Sequence, residues 1–373
     1  MAYLNVPRIS VGLMVERVAA YYSKAILNHE DLKKLRAILL TGQPGVGKSE
    51  GIEQIREKVS KAVKRSVEIR EIRLSNCSLV DIIGVFSPDE KHEYSRILKP
   101  EFFREPEDKD TILIYFFDEL DKALPMIQAA ALQLILDKKS FVHELPENSL
   151  IIAAGNPEMV EGEVFTKFKE ELNNRFRHYY VEPDLDSWLK WADENQVNVC
   201  VKEYLRFDKS KLYFQSEEER DTAFPTPRSW KAVSDYMNLM FDDQMDIDEI
   251  HYDICGDIGL GTALEFEEWY RHYGKLPSVW EILAGRTTKY PSTQDGLYEL
   301  INRILHEISN NQPKITLHML ENAFQYANRF PADFKVMFYS EIQSIPWIST
   351  KLLSVRNFKN WFMSQKEEEN HGR

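Results

Sequence analysis

Eight consecutive residues, Gly42-Gln43-Pro44-Gly45-Val46-Gly47-Lys48-Ser49, have the spacing G-x-x-x-x-G-K-[ST]. Phosphate oxygens need many donors in a tight arc. Glycines let the backbone turn its N–H groups inward, and a helix starting at the loop's end adds its positive terminus. In that arrangement Lys48 reaches the β- and γ-phosphates, the Ser49 hydroxyl takes a Mg²⁺ position, and Glu50 completes the nucleotide-binding stretch. A second set of groups closes the apolar run Ile112–Phe117, which leads into Asp118 and Glu119. A buried strand delivers carboxylates to the C-terminal edge of a parallel sheet, where phosphate loops also lie. Asp118 then holds the metal, and Glu119 faces an attacking water as base or orienting group. A third is Asn156, before Pro157 at the tip of Leu150–Ala154, an amide suited to a γ-phosphate or its water.

These groups need strands to carry them. Ala37–Thr41 runs into the glycine loop, and Ile52, Ile55, Val59 and Val63 form one face of the helix that follows. Val67–Leu74, Ile112–Phe117, Leu150–Ala154 and His178–Val181 read as further strands. Helices are expected over Val11–Leu27, Leu79–Ile83, Ala123–Leu136 and Glu163–Asn174, while 84–110 is too irregular for one element. Strands alternating with helices imply an α/β fold with a parallel five-stranded sheet covered on both faces. After Pro183 strand patterns become scarce and helical ones recur, among them Ser229–Met240, Leu297–Ile308, Leu317–Asn328 and Ala332–Ile342. The expected division is 1–183 as the nucleotide-binding α/β core and 184–373 as a helical lid and C-terminal helical region.

The order of these motifs resembles AAA+ ATPases of the MoxR type, in the helix-2-insert branch of P-loop NTPases. The resemblance assigns the phosphate loop to Gly42–Ser49, the metal and hydrolysis pair to Asp118 and Glu119, and the first sensor to Asn156. It also implies a trans-acting finger at Arg175, in Leu172-Asn173-Asn174-Arg175-Phe176, although Asn174 replaces the usual Asp and Arg177 offers an alternative. Thr226–Trp230 resembles the second sensor, so Arg228 is expected on the γ-phosphate of its own subunit. Asp81–Lys99 sits where the family carries its insert, and Lys138–Pro146 matches the hairpin before the first sensor. The family implies ATP and Mg²⁺, a hexameric ring, remodelling of a protein substrate, and a partner with a von Willebrand-type A domain.

Composition narrows the alternatives. The 373 residues are 43% hydrophobic and 29% charged, ordinary for a globular chain, and the net charge is −13. That acidity disfavours a nucleic-acid motor of the restriction-system kind, whose ATPase would rise with DNA or RNA and collapse with salt. A nucleotide-gated assembly module remains a rival, separable because its function would survive Glu119→Gln. A small-molecule kinase leaves Asn156 and Arg175 without purpose, and no Asn-Lys-x-Asp guanine-reading motif occurs. No apolar run approaches the ~18 residues of a membrane helix, and three cysteines without a partner motif fit a reducing cytoplasm. The histidines suggest no ligand spacing, so no metal beyond Mg²⁺ is expected. Trp188 and Trp191 read as core packing, Glu217–Glu219 as an exposed loop, and Glu367–Glu369 as a solvated tail.

Overall fold

A computed structural model describes residues 6–156, 175–215, 223–240, 245–274, 276–291 and 293–361. The helix expected over Glu163–Asn174, Pro157, the Glu217–Glu219 loop and the Glu367–Glu369 tail lie outside the described residues. The chain divides into two compact units. One is Met1–Val197 with Leu205–Asp242 and Tyr252–Thr262; the other is Asn198–Tyr204 with Asp243–His251 and Ala263–Arg373.

The first unit is built on a parallel sheet. Its strands are β1 (Arg8–Ser10), β2 (Ile38–Thr41), β3 (Val67–Arg73), β6 (Ile112–Asp118), β9 (Ser149–Gly155) and β10 (Arg177–Glu182), in the order β1-β10-β2-β9-β6-β3. All five pairings are parallel. The sheet therefore has six strands where five were expected. The addition, β1, contributes only Ile9 to the core, too short a stretch to show any period in sequence.

Alternation along the central strands sorts their side chains into two cores. Ile38, Leu40, Ile112, Ile114, Phe116 and Ile152 pack with α1 (Val11–Leu27) and α2 (Lys48–Val63), through Met14, Val18, Ile55 and Val59. Leu39, Leu113, Tyr115, Phe117, Ile151 and Ala153 share a core with Ile127, Ala131 and Ile135 of α4 (Pro125–Asp137). A sheet covered on both faces leaves its C-terminal edge as the place for a site. Between β3 and β6, α3 (Leu79–Ile83) leads into a hairpin, β4 (Val85–Pro88) with β5 (Ser95–Leu98). Val85, Phe86 and Leu98 are exposed, so no buried face marked these strands in the sequence. A second hairpin, β7 (Lys139–Ser140) with β8 (His143–Glu144), carries Phe141 and Val142 exposed at its turn. Its Ser140 hydroxyl donates to the Ile82 carbonyl at 3.2 Å, which ties the hairpin to α3.

The second unit is helical, as the polar and apolar spacing implies. Gln294–Asn310, Leu317–Ala327 and Ala332–Ile342 bury Leu300, Ile304, Phe324, Phe338 and Tyr339 in one cluster. Thr293 and Thr316 cap the first two by accepting the N–H groups of Gly296 and Met319. One histidine expectation needs correcting: His251, in this unit, and Cys255, in the first, stand one turn apart on the single helix His251–Ile258, which is a ligand spacing. The His251 Nδ1 lies 2.7 Å from the buried Glu267 carboxylate. Among the described residues no helix is long and apolar enough to cross a membrane.

Candidate nucleotide-binding site

The loop between β2 and α2 is shaped by its glycines. Gly42, Gly45 and Gly47 have φ values of 148°, 77° and 101°, and Gly47 caps α2. A side chain at Gly45 would also meet Thr226 Oγ1 at 2.8 Å, so glycine is needed there for conformation and for space. The helix of Lys48 begins at once, with the N–H groups of its first turn free of intrahelical partners.

Lys48 folds back beneath the loop and donates to the carbonyls of Gly42 and Gln43 at 2.7 and 2.9 Å. Burial lowers its pKa to about 8, against the opposing pull of Asp118 and Asp121. The Ser49 hydroxyl donates to Asp118 Oδ2 at 3.3 Å. The two side chains expected to share a divalent cation thus meet across the edge of the sheet, both as oxygen donors of the kind Mg²⁺ takes. The other Asp118 oxygen accepts the Glu119 N–H at 2.8 Å.

Glu119 itself adopts φ 55°, an uncommon conformation for a residue with a side chain. Its carboxylate accepts from Lys122 Nζ at 2.6 Å and from the Ser75 hydroxyl, and these hold its pKa below the ordinary value. It is therefore ionised at neutral pH. At the neighbouring strand tip, Asn156 keeps its side-chain oxygen buried without a hydrogen-bond partner. Its backbone N–H donates to Asp121, a buried carboxyl whose pKa burial raises and whose Oδ2 likewise has no partner. In sequence Asp121 is marked only by its place three residues beyond Asp118 in Asp-Glu-Leu-Asp.

The expected second sensor is docked onto the loop. Pro227 opens the helix Pro227–Met240, and Thr226 and Ser229 cap it reciprocally, each accepting the other's N–H at 3.0 and 2.7 Å. The Arg228 N–H donates to the Gly45 carbonyl at 3.2 Å, and its exposed side chain lines the cavity beside the loop. Trp230, wholly buried, anchors the helix by donating to the Lys211 carbonyl at 2.7 Å. Arg175 is not among the residues that line the cavity beside the loop. It is half exposed, 3.8 Å from Asp137, whereas Arg177 is stacked 4.0 Å over the Tyr21 ring.

The cavity, of about 560 Å³, is lined by Val11, Gly12, Gly45–Gly47, Ser49, Glu50, Pro183, Trp188, Trp191, Pro227 and Arg228 among others. Trp188 and Trp191, expected as plain core packing, are therefore part of its wall, as only the tertiary fold could reveal. Val46 is buried, while Gln43 and Pro44 complete the loop.

No family model matches the sequence, and no curated protein matches it. Solved structures are similar at low identity. The ADP form of the Aeropyrum pernix ORC2 protein is 12% identical over 91% of this chain and 95% of its own, at a TM-score of 0.39. Caenorhabditis elegans PCH-2 is 14% identical over 87% and 72%, at 0.31. A Thermotoga maritima RuvB mutant is 11% identical over 84% and 91%, also at 0.31. These TM-scores are low, and the fold is read from the chain's own strand order and loop.

Proposed function

We propose that this chain is an ATP-hydrolysing AAA+ ATPase of the MoxR type that works as a ring, most simply a hexamer, and remodels a bound protein. The observation that carries the reading is the meeting of Ser49 with Asp118 at 3.3 Å, directly beside a glycine loop that opens a helix. The backbone of Gly42–Gly47 and the Lys48 ammonium would hold the triphosphate. Mg²⁺ on Ser49 and Asp118 would neutralise charge on the phosphate oxygens.

In hydrolysis Glu119 takes a proton from the attacking water while Asn156 orients that water. The new bond forms between the water oxygen and the γ-phosphorus, and the bond to the ADP oxygen breaks. Arg228 in cis and Arg175 from a neighbour stabilise the charge that spreads over the equatorial oxygens, a finger being worth ~10³–10⁵ in rate. Support for Arg175 over Arg177 comes from exposure, since Arg177 is committed to Tyr21 within its own subunit. A partner with a von Willebrand-type A domain rests on the family resemblance alone, and a cytoplasmic location rests on three cysteines without a partner motif.

The test is phosphate release by purified chain with and without Glu119→Gln. Wild-type turnover, abolished by Glu119→Gln with ATP binding retained, is the expected result. Equal activity in both would remove Glu119 from the chemistry.

A further inference from the structure

Two buried oxygens just beyond the tips of the neighbouring strands β6 and β9 lack hydrogen donors. After β6 the chain turns at Glu119 and reaches Asp121, which is 8% exposed. The turn is held to the next strand by the Leu120 N–H, which donates to the Ala154 carbonyl at 3.0 Å. Gln128, itself buried, donates its Nε2 hydrogens to the carbonyls of Asp121 and Ala123 at 3.2 and 2.9 Å. So fixed, the Asp121 carboxylate accepts the Asn156 backbone N–H. It also lies against Gly155, where a Cβ would meet its Oδ1 at 2.9 Å. Yet Asp121 Oδ2 and Asn156 Oδ1 are both buried without a partner among the described residues. Buried acceptors are nearly always met, and one water, with two hydrogens to give, is the smallest group able to meet both.

We infer that Asp121 is a positioning residue for hydrolysis, holding Asn156 by its backbone N–H and, through such a water, by its side-chain oxygen. The inference rests on the ATPase reading above and adds a residue which that reading does not use. An amide has two ends of similar shape and opposite polarity. With its oxygen engaged on the Asp121 side, Asn156 keeps its Nδ2 hydrogens for a phosphate oxygen or the attacking water. Turned the other way, it would set its own oxygen against a phosphate oxygen and repel it. The Asp121 charge also acts on Lys48, as that of Asp118 does, so the group belongs to the same edge of the sheet as the glycine loop.

The experiment is a double-mutant cycle in steady-state ATPase, with ATP binding and thermal unfolding measured in parallel, on wild type, Asp121→Ala, Asn156→Ala and the pair. Asp121→Ala should lower kcat about 10- to 100-fold, the scale of a misplaced reacting geometry, with ATP affinity within a few-fold. Combined with Asn156→Ala it should lower kcat no further, because its effect passes through that amide. Asp121→Asn keeps an acceptor for the backbone N–H and brings a donor for Asn156 Oδ1, so it should recover most of the lost turnover. A merely structural carboxylate would lower the unfolding temperature and give losses that multiply with those of Asn156→Ala; multiplied losses overturn the inference. Unchanged kcat in Asp121→Ala overturns it equally. Should Asp121→Ala not fold, Gly155→Ala makes the same test, since its methyl displaces the carboxylate and leaves both side chains in place. Its kcat should fall alone and fall no further with Asn156→Ala. No turnover by wild type sinks the ATPase reading together with this inference, whereas multiplied losses in an active wild type sink this inference only.

Discussion

At the scale of single residues, the account turns on charge placed where phosphate is expected. Lys48 is the cation enclosed by the loop's own carbonyls. Lys48→Ala should weaken ATP binding by about a hundredfold, in line with losing a buried charge-assisted contact; titration calorimetry checks this. Glu119→Gln should cut turnover by at least about 10²-fold, the usual scale for a lost general base, while leaving ATP affinity within a few-fold. The loop, Asp118 and Glu119 were legible because their chemistry is written in contiguous residues beside buried strands. Trp188 and Asp121 were not. What distinguishes each is a buried polar atom without a partner, and that exists only once distant segments are packed together.

Elements set how tightly those groups are held. A Cβ at Gly45 would meet Thr226, at the cap of Pro227–Met240, at 2.8 Å. Gly45→Ala should strain a φ of 77° and press on that cap, costing ~1–3 kcal/mol of stability and loosening nucleotide binding. Gly256→Ala is the control, since a Cβ there meets nothing within 4 Å on a helix; it should be neutral or stabilise by up to ~1 kcal/mol. Thermal unfolding compares the two. Lys138 offers a second case. It donates to the carbonyls of Leu32, Lys33 and Leu35, and burial lowers its pKa to about 8. Lys138→Met should leave those carbonyls unmet and destabilise the protein by ~1–3 kcal/mol, read as a lower denaturant midpoint. Buried elements such as Ile112–Asp118 were legible from apolar runs alone. The strand Arg8–Ser10 and the hairpin Val85–Leu98 were not, because short or exposed strands carry no period.

For the whole molecule, the proposal demands more than one chain. Arg175 is exposed and contacts only Asp137 at long range among its described ion pairs, as a residue acting on a neighbour would require. Mixing Arg175→Ala with Asp118→Ala chains should restore part of the ATPase activity that each lacks alone, because one ring interface then holds an intact loop facing an intact arginine. No recovery at any ratio would remove the trans finger. The decisive measurement is titration of ATP with Mg²⁺ into the purified wild-type chain and Lys48→Ala. Saturable binding by wild type, lost or nearly lost in Lys48→Ala, is the predicted result. No binding by wild type, or equal binding by both, would contradict the placement of a triphosphate in the loop of residues 42–49.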